Sequence, residues 1–387
     1  MYTTAAWLLC ARPKGEPHGA ATLELDTFSF PEITDDEVLV EPLFGCWEGN
    51  MSHALARRPV DVCELRGEPR VVLGNSAVVR VLKPGANVRG VREGDVCVFT
   101  GNVTCEDEFG YMVKAHGYDA PNTIGFLAQR TKVRGENLLK VPEGSPYSLE
   151  QWAAYSLRYP TAWSNFRVAL SALRLQLSEA DLPAPYVFGW GGGTTLAELD
   201  LARRLGCDVT MISGSAAHLD EITRAGLRAI DRRKFPDLAV DEERAAADPD
   251  YKKRCQASER AFLDVVHRVT GGKGVSIFLD YIGSPVLRVT LKALGRQGVL
   301  ATAGWKLGAA MSMNRAMACI QRHIFVHTHY ARHNEHPVAM SFAARTGWMP
   351  ELRPDAIYDW ERVPELAEDF AAGRVASYFP VYRVNSP

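Results

Sequence analysis

The chain has 387 residues, 47% of them hydrophobic and 23% charged, enough for two or three globular domains with substantial cores. Lys and Arg total 44 against 46 Asp and Glu, a net charge of −2 that argues against a nucleic-acid or anionic-membrane binder. No apolar run reaches the roughly 18–20 residues of a membrane span. No basic segment precedes an apolar start, so no secretory leader is expected, and eight cysteines scattered without a CxxC pair suit reduced thiols in a cytoplasmic protein.

The first half reads as short strands between turns: Glu37–Val40, Val71–Leu73, Ala77–Leu82 and Val96–Phe99, punctuated by Gly74-Asn75-Ser76, Lys83-Pro84-Gly85 and Gly94-Asp95. This pattern predicts a β-rich domain with few helices. Near residue 150 it turns helical. Ser148 and Gln151 are spaced as a capping box, a helix runs to Leu157, Pro160 interrupts it, and a second helix covers Thr161–Leu175. Beyond Tyr186 strands and helices alternate. Strands are expected at Tyr186–Phe188, Val209–Ile212, Ala229–Ile230, Val275–Leu279 and Val299–Ala303. Helices are expected at Thr195–Leu205, His218–Ala225 and Leu263–Val269, with the charge-rich Pro236–Glu259 as a loop plus part of a helix. The alternation predicts a doubly wound α/β domain.

Its first strand runs into Gly189, Trp190, Gly191, Gly192, Gly193 and Thr194 and then into a helix, the context a dinucleotide-binding turn requires. Gly189 makes the turn, Gly191 lets the backbone approach a pyrophosphate, and the helix end offers free N–H groups. Thr194 stands where the motif has its third glycine. The second strand ends in Ser213-Gly214-Ser215, with His218 beyond and no carboxylate to bind a ribose 2′-hydroxyl. With Arg232 and Arg233 after the next strand, NADPH is preferred over NADH. The alternative is that Ser213 and Ser215 only cap the next helix.

Leu82-Lys83-Pro84-Gly85, Gly94-Asp95-Val96, Gly125-Phe126-Leu127-Ala128, Thr161-Ala162-Trp163, the glycine turn, Ile357–Trp360 and Val363-Pro364-Glu365 together resemble the medium-chain dehydrogenase/reductase superfamily over nearly the whole chain. The resemblance implies a GroES-like catalytic domain over 1–158, a Rossmann NADP-binding domain over 159–328 and a return to the catalytic domain over 329–387. Three further stretches resemble the crotonyl-CoA carboxylase/reductase and acrylyl-CoA reductase branch: Gly117-Tyr118, Asp248–Lys253 with Val269–Gly272, and His327–Ala331.

Zinc-dependent members hold their catalytic ion at positions that fall here on Cys46, Asn75 and Leu157. One ligand of three implies a zinc-free enzyme. The histidine run His323, His327, His329, His333 and His336 invites a metal reading, but one histidine lining an active site is preferred to it. Without a metal, an enoyl thioester supplies its own electron sink, and the protein must stabilise an enolate and protonate a carbon. The expected reaction is NADPH-dependent reduction of a 2-enoyl thioester carried by CoA or an acyl carrier protein, with reductive carboxylation ranked lower. The alternatives are a carbonyl or quinone reductase, or a nucleotide-binding relative without turnover. His329 and Tyr330 are the preferred polar pair, and Tyr155 is a further candidate. Asn75 is a hydrogen-bonding residue or a turn residue, and Trp47 is expected to pack on nicotinamide or substrate. Thr161 is assigned to the cofactor. Arg315 and Lys306 are assigned to substrate phosphates, or else are solvated surface charges. The resemblance further implies a homodimer or homotetramer.

Overall fold

A computed structural model of the chain describes residues 1–13, 15, 19–100, 108–111, 114–304, 306–308, 310–328 and 331–387. Strand β1 (Tyr2–Cys10) pairs antiparallel with β2 (Glu24–Phe30), Tyr2 lying opposite Phe30. The ten-residue β3 (Glu37–Cys46) is buried along most of its length. Two short helices, α1 (Gly49–Ala56) and α2 (Val62–Arg66), precede β4 (Arg70–Val72), which joins the other edge of β1. Then come β5 (Ala77–Pro84), β6 (Val96–Phe99), β7 (Thr131–Arg134) and β8 (Leu138–Lys140). The segment Gly74–Ser76 therefore does not close a hairpin: β4 belongs to the three-stranded sheet β2-β1-β4, and β5 pairs with β3 in a larger one. Gly74 is required there. Its φ is +112°, and a Cβ would lie 2.9 Å from the Phe126 amide nitrogen.

Helix α3 (Leu149–Arg174) runs unbroken through Pro160, where the sequence predicts two helices. Proline removes one hydrogen bond and costs about 3 kcal/mol in an ordinary helix interior. Here burial outweighs it: Trp152, Tyr155, Ala162 and Phe166 are all fully buried. The capping box is present, with Ser148 N donating to Gln151 Oε1 at 3.1 Å and Gln151 N to Ser148 Oγ at 3.3 Å.

The next strand and helix are β9 (Tyr186–Trp190) and α4 (Gly193–Arg204), followed by β10 (Asp208–Ser213), α5 (Ala216–Arg224) and β11 (Arg228–Asp231). The charge-rich stretch is mostly helical. Helix α6 (Glu242–Ala247) starts on an Asp241 cap and α7 (Pro249–Val269) on an Asp248 cap. The buried stripe of α7 includes Ser258 and Glu259, and Glu259 is paired with Lys292 at 2.5 Å. Those polar members hide its periodicity from a sequence reading. Strand β12 (Val275–Asp280), helix α8 (Ser284–Ala293), β13 (Leu294–Thr302) and β14 (Phe325–Thr328) complete a six-stranded parallel sheet of order β11-β10-β9-β12-β13-β14. The chain then adds α9 (His336–Thr346), β15 (Ile357–Tyr358), α10 (Val363–Ala371) and β16 (Val381–Arg383), with β16 antiparallel to β3.

By contacts the chain forms two compact units, 1–160 with 332–387, and 161–331. The first holds the two antiparallel-rich sheets. The second is the doubly wound α/β layer, with Phe188, Phe262, Phe278 and Leu300 in its core. Among the described residues, no helix is long and apolar enough to cross a membrane.

Candidate active site

In the first unit, β3 ends in the core at Cys46, Trp47 and Glu48, all at most 5% exposed. Helix α3 delivers Arg158, itself 4% exposed, onto this segment. The guanidinium donates from Nη1 to Cys46 Sγ at 2.5 Å and from Nη2 to the Trp47 carbonyl at 2.7 Å, and its Nε pairs with Glu48 Oε2 at 3.2 Å. The thiol in turn donates to the Pro380 carbonyl at 3.2 Å. Burial pushes the Cys46 thiol up to about 12, and the Arg158 charge offsets only part of that. Burial also pushes the Glu48 carboxyl up, while Arg158 pulls it back. At about pH 8 such a thiol is thiolate in roughly one molecule in ten thousand. Cys46 is therefore expected to resist iodoacetamide in the folded protein and react in urea, which peptide mass mapping reads directly.

Tyr382, on β16, sets its hydroxyl against Gly45 and, at 3.0 Å, against the Cβ position of Gly74. Burial holds the phenols of Tyr382 and Tyr155 well above 10, so both stay protonated hydrogen-bond donors. Asn75 is 1% exposed, and its Oδ1 has no partner among the described residues, as is true of the Tyr155 and Tyr382 hydroxyls. Trp47 is a core residue: it is fully buried, and its indole N–H donates to Ser52 Oγ at 3.0 Å.

This arrangement does not fit a catalytic zinc ion. The thiol is bonded to a guanidinium, and the other two positions are an amide and a hydrocarbon. Among the described residues, no three His, Cys, Asp or Glu come together as a metal site. His329 and Tyr330, the preferred polar pair, lie outside the described residues.

In the second unit, the glycine turn follows β9 where the strand order reverses between β10 and β12, the usual ligand crevice of such sheets. A Cβ at Gly189 would sit 2.6 Å from Thr195 Cγ2, and one at Gly191 would strike Thr195 Oγ1 and lie 2.8 Å from Tyr281 Cβ. Gly192 has nothing within 4 Å of its Cβ position, so the turn is open on that side. Gly192 caps α4, and Gly193 and Thr194 form its first turn, leaving amides free for an anion. Thr161 is buried on α3.

At the end of β10, Ser215 accepts from the His218 amide at 3.5 Å, so it caps α5. Arg233 is committed elsewhere: its backbone N, Nε and Nη2 all bond Asp231, at 2.8–2.9 Å. Its neighbour Arg232 instead lies over Gly214, with guanidinium nitrogens 3.3 Å from that Cβ position. Lys306 is anchored by its backbone N to the Tyr281 carbonyl at 2.9 Å. Burial and the nearby Arg232 charge push its ammonium down. Lys306 thus stands near Arg232, and neither of them forms an ion pair among the described residues. Arg315 is exposed at the start of a short π-helical turn.

The sequence reading missed Arg158, Tyr382, Tyr281 and Glu198. Arg158 carried a usable sign, because a lone charge in the apolar run Trp152–Trp163 must be buried with a partner.

No family model matches the chain. It is similar to two curated fungal proteins, 26% identical to the lovastatin diketide synthase mokB of Monascus pilosus over 182 residues and 24% identical to the highly reducing polyketide synthase AN6791 of Emericella nidulans over 220. These matches cover 47% and 56% of the chain but only 6% and 7% of the synthases. Among solved structures, the 2-octenoyl-CoA carboxylase reductase CinF, in complex with NADP and 2-octenoyl-CoA, superposes with a TM-score of 0.79 at 20% identity, covering 98% of this chain and 87% of that one. The crotonyl-CoA carboxylase/reductase AntE with NADP gives 0.77 at 20% identity, covering 99% and 95%. An alcohol dehydrogenase from Sinorhizobium meliloti 1021 gives 0.72 at 18% identity, covering 98% of each. These likenesses are of fold: the chain shares the fold of these carboxylase reductases and of this alcohol dehydrogenase.

Proposed function

We propose that this chain is an NADPH-dependent, zinc-independent reductase that adds hydride to the β-carbon of a 2-enoyl thioester. The observation that carries the cofactor is an open glycine turn at the switch point, with Arg232 and Lys306 near Ser213–Ser215 and no carboxylate at that strand end. The substrate class is supported by CinF, a protein of the same fold solved with 2-octenoyl-CoA. One of the two fungal matches is a highly reducing polyketide synthase, which supports a reductive activity.

NADPH, when bound, supplies the hydride. The turn and the first amides of α4 hold its pyrophosphate, and Arg232 and Lys306 hold its 2′-phosphate. The electron pair displaced from the double bond collects on the thioester oxygen as an enolate, and a proton delivered to the α-carbon completes the reduction. The Arg158 cluster fixes the segment Cys46–Glu48 without a metal. His329 and Tyr330 are the proposed proton donors.

The test is NADPH oxidation by chelator-treated protein with crotonyl-CoA, longer enoyl-CoAs and an enoyl pantetheine, each with and without bicarbonate. Turnover that survives the chelator is expected. Turnover only with zinc and an alcohol or ketone would overturn the proposal, and carbon incorporated from bicarbonate would add carboxylation.

A further inference from the structure

Glu198 lies on α4 beyond the glycine turn and is completely buried. Its Oε1 accepts from Asn165 Nδ2 at 2.7 Å, and the Tyr281 hydroxyl lies close enough to favour its charged form. Asn165 Nδ2 lies 3.3 Å from the same hydroxyl. Glu198 Oε2, Asn165 Oδ1 and Thr195 Oγ1 have no partner among the described residues. The groups acting on the carboxyl are thus neutral: Asn165 from α3 and Tyr281 from the turn after β12. Burial pushes the carboxyl up to about 8, and Asn165 and Tyr281 offset only part of the shift.

Tyr281 connects this acid to the turn. Its Cβ is the atom that a side chain at Gly191 would meet at 2.8 Å. Its backbone N donates to the Trp190 carbonyl at 3.1 Å, and its carbonyl accepts from Lys306 N at 2.9 Å. One residue therefore touches the glycine turn, the Lys306 loop and the buried acid.

We propose that Glu198 is a positioning residue of the cofactor site: as a neutral acid it seats Tyr281 beneath the glycine turn, and its ionisation weakens dinucleotide binding. The inference rests on reading this unit as the dinucleotide site. A buried carboxylate below the turn would repel the pyrophosphate in a medium that screens poorly. By linkage, binding holds the proton on Glu198, so above its free pKa the protein must take up a proton there when the dinucleotide binds. Affinity is level below that pKa and falls above it, by at most about tenfold per pH unit.

The experiment measures dissociation constants of NADPH and NADH, by tryptophan fluorescence from about pH 7 to about pH 9.5, for the wild type, Glu198→Gln and Tyr281→Phe. Calorimetry of the wild type in two buffers of different ionisation enthalpy, at about pH 8.5, counts the protons taken up. Expected are a wild-type affinity that falls about tenfold over the top pH unit for both cofactors, proton uptake on binding, and a flat NADH profile in Glu198→Gln. Loss of the Lys306 proton has the same sign for NADPH, but it persists in the variant and is absent with NADH, which lacks the 2′-phosphate. A Glu198→Gln profile as steep as the wild type's with NADH overturns the proposal. So does binding without proton uptake, which needs no variant to fold. Failure of both cofactors to bind at any pH would instead remove the dinucleotide reading, and this inference with it.

Discussion

Arg158→Leu is expected to destabilise the first unit by about 3–5 kcal/mol, the usual cost of leaving one partner of a buried ion pair alone. The guanidinium serves three buried acceptors at once: Glu48 Oε2, Cys46 Sγ and the Trp47 carbonyl. Leucine fills most of the volume but leaves a carboxyl at 5% exposure with no cation. For a unit of this size the loss is roughly 6–20 °C of melting temperature. The deficit should depend on pH. Without Arg158 the Glu48 carboxyl rises further, above its unfolded value, so the folded variant binds more protons there than the unfolded chain. Stability then falls as pH rises from about 4.5 through the folded pKa, and the gap to the wild type widens toward neutral pH. Glu48→Gln combined with Arg158→Leu should recover part of the loss, since a neutral amide costs less to bury than a carboxylate. Thermal melts of the four proteins of this cycle at about pH 5 and about pH 7.5 measure both effects. A single variant melting within about 2 °C of the wild type at both pH values would mean that the cluster carries no such energy.

The same residues show what was legible in the chain and what was not. The glycine turn could be read because its constraints are local: Gly189 and Gly191 are crowded by Thr195, six and four residues on. The Ser148–Gln151 capping box is local in the same sense. Helix α3 was misread as two because Pro160 is a local penalty, whereas the burial of Tyr155 and Phe166 that offsets it is not visible along the chain. The separation of β4 from β5 into different sheets depends on β1 and β3, which come far earlier in the chain and each claim one of them. Arg158 meets Cys46 across 112 residues. Between adjacent arginines the deciding fact is a single rotamer choice: Asp231, two residues before Arg233, takes that side chain and leaves Arg232 facing Gly214. Composition and spacing carry no information on that choice.

That choice sets the second large effect. Arg232→Ala is expected to raise the KM for NADPH by about 10–100-fold, the worth of one or two charge-assisted hydrogen bonds to a phosphate. It should leave NADH nearly unchanged, because NADH has no 2′-phosphate. Arg233→Ala is the control, and should change neither cofactor more than about twofold, since its guanidinium is spent on Asp231. Lys306→Ala should weaken NADPH selectively as well, but the two losses are not expected to multiply. In the wild type the Arg232 charge helps push the Lys306 ammonium down. Removing Arg232 lets that ammonium hold its proton to higher pH, so the remaining cation compensates in part. Arg232→Ala should therefore lower NADPH affinity at neutral pH and extend what remains to more alkaline pH. KM for both cofactors, measured against pH for each variant, separates the terms. Equal losses for NADPH and NADH would mean that Arg232 shapes the loop rather than binding the phosphate, and the basis for cofactor choice would have to be sought elsewhere on the β10 end.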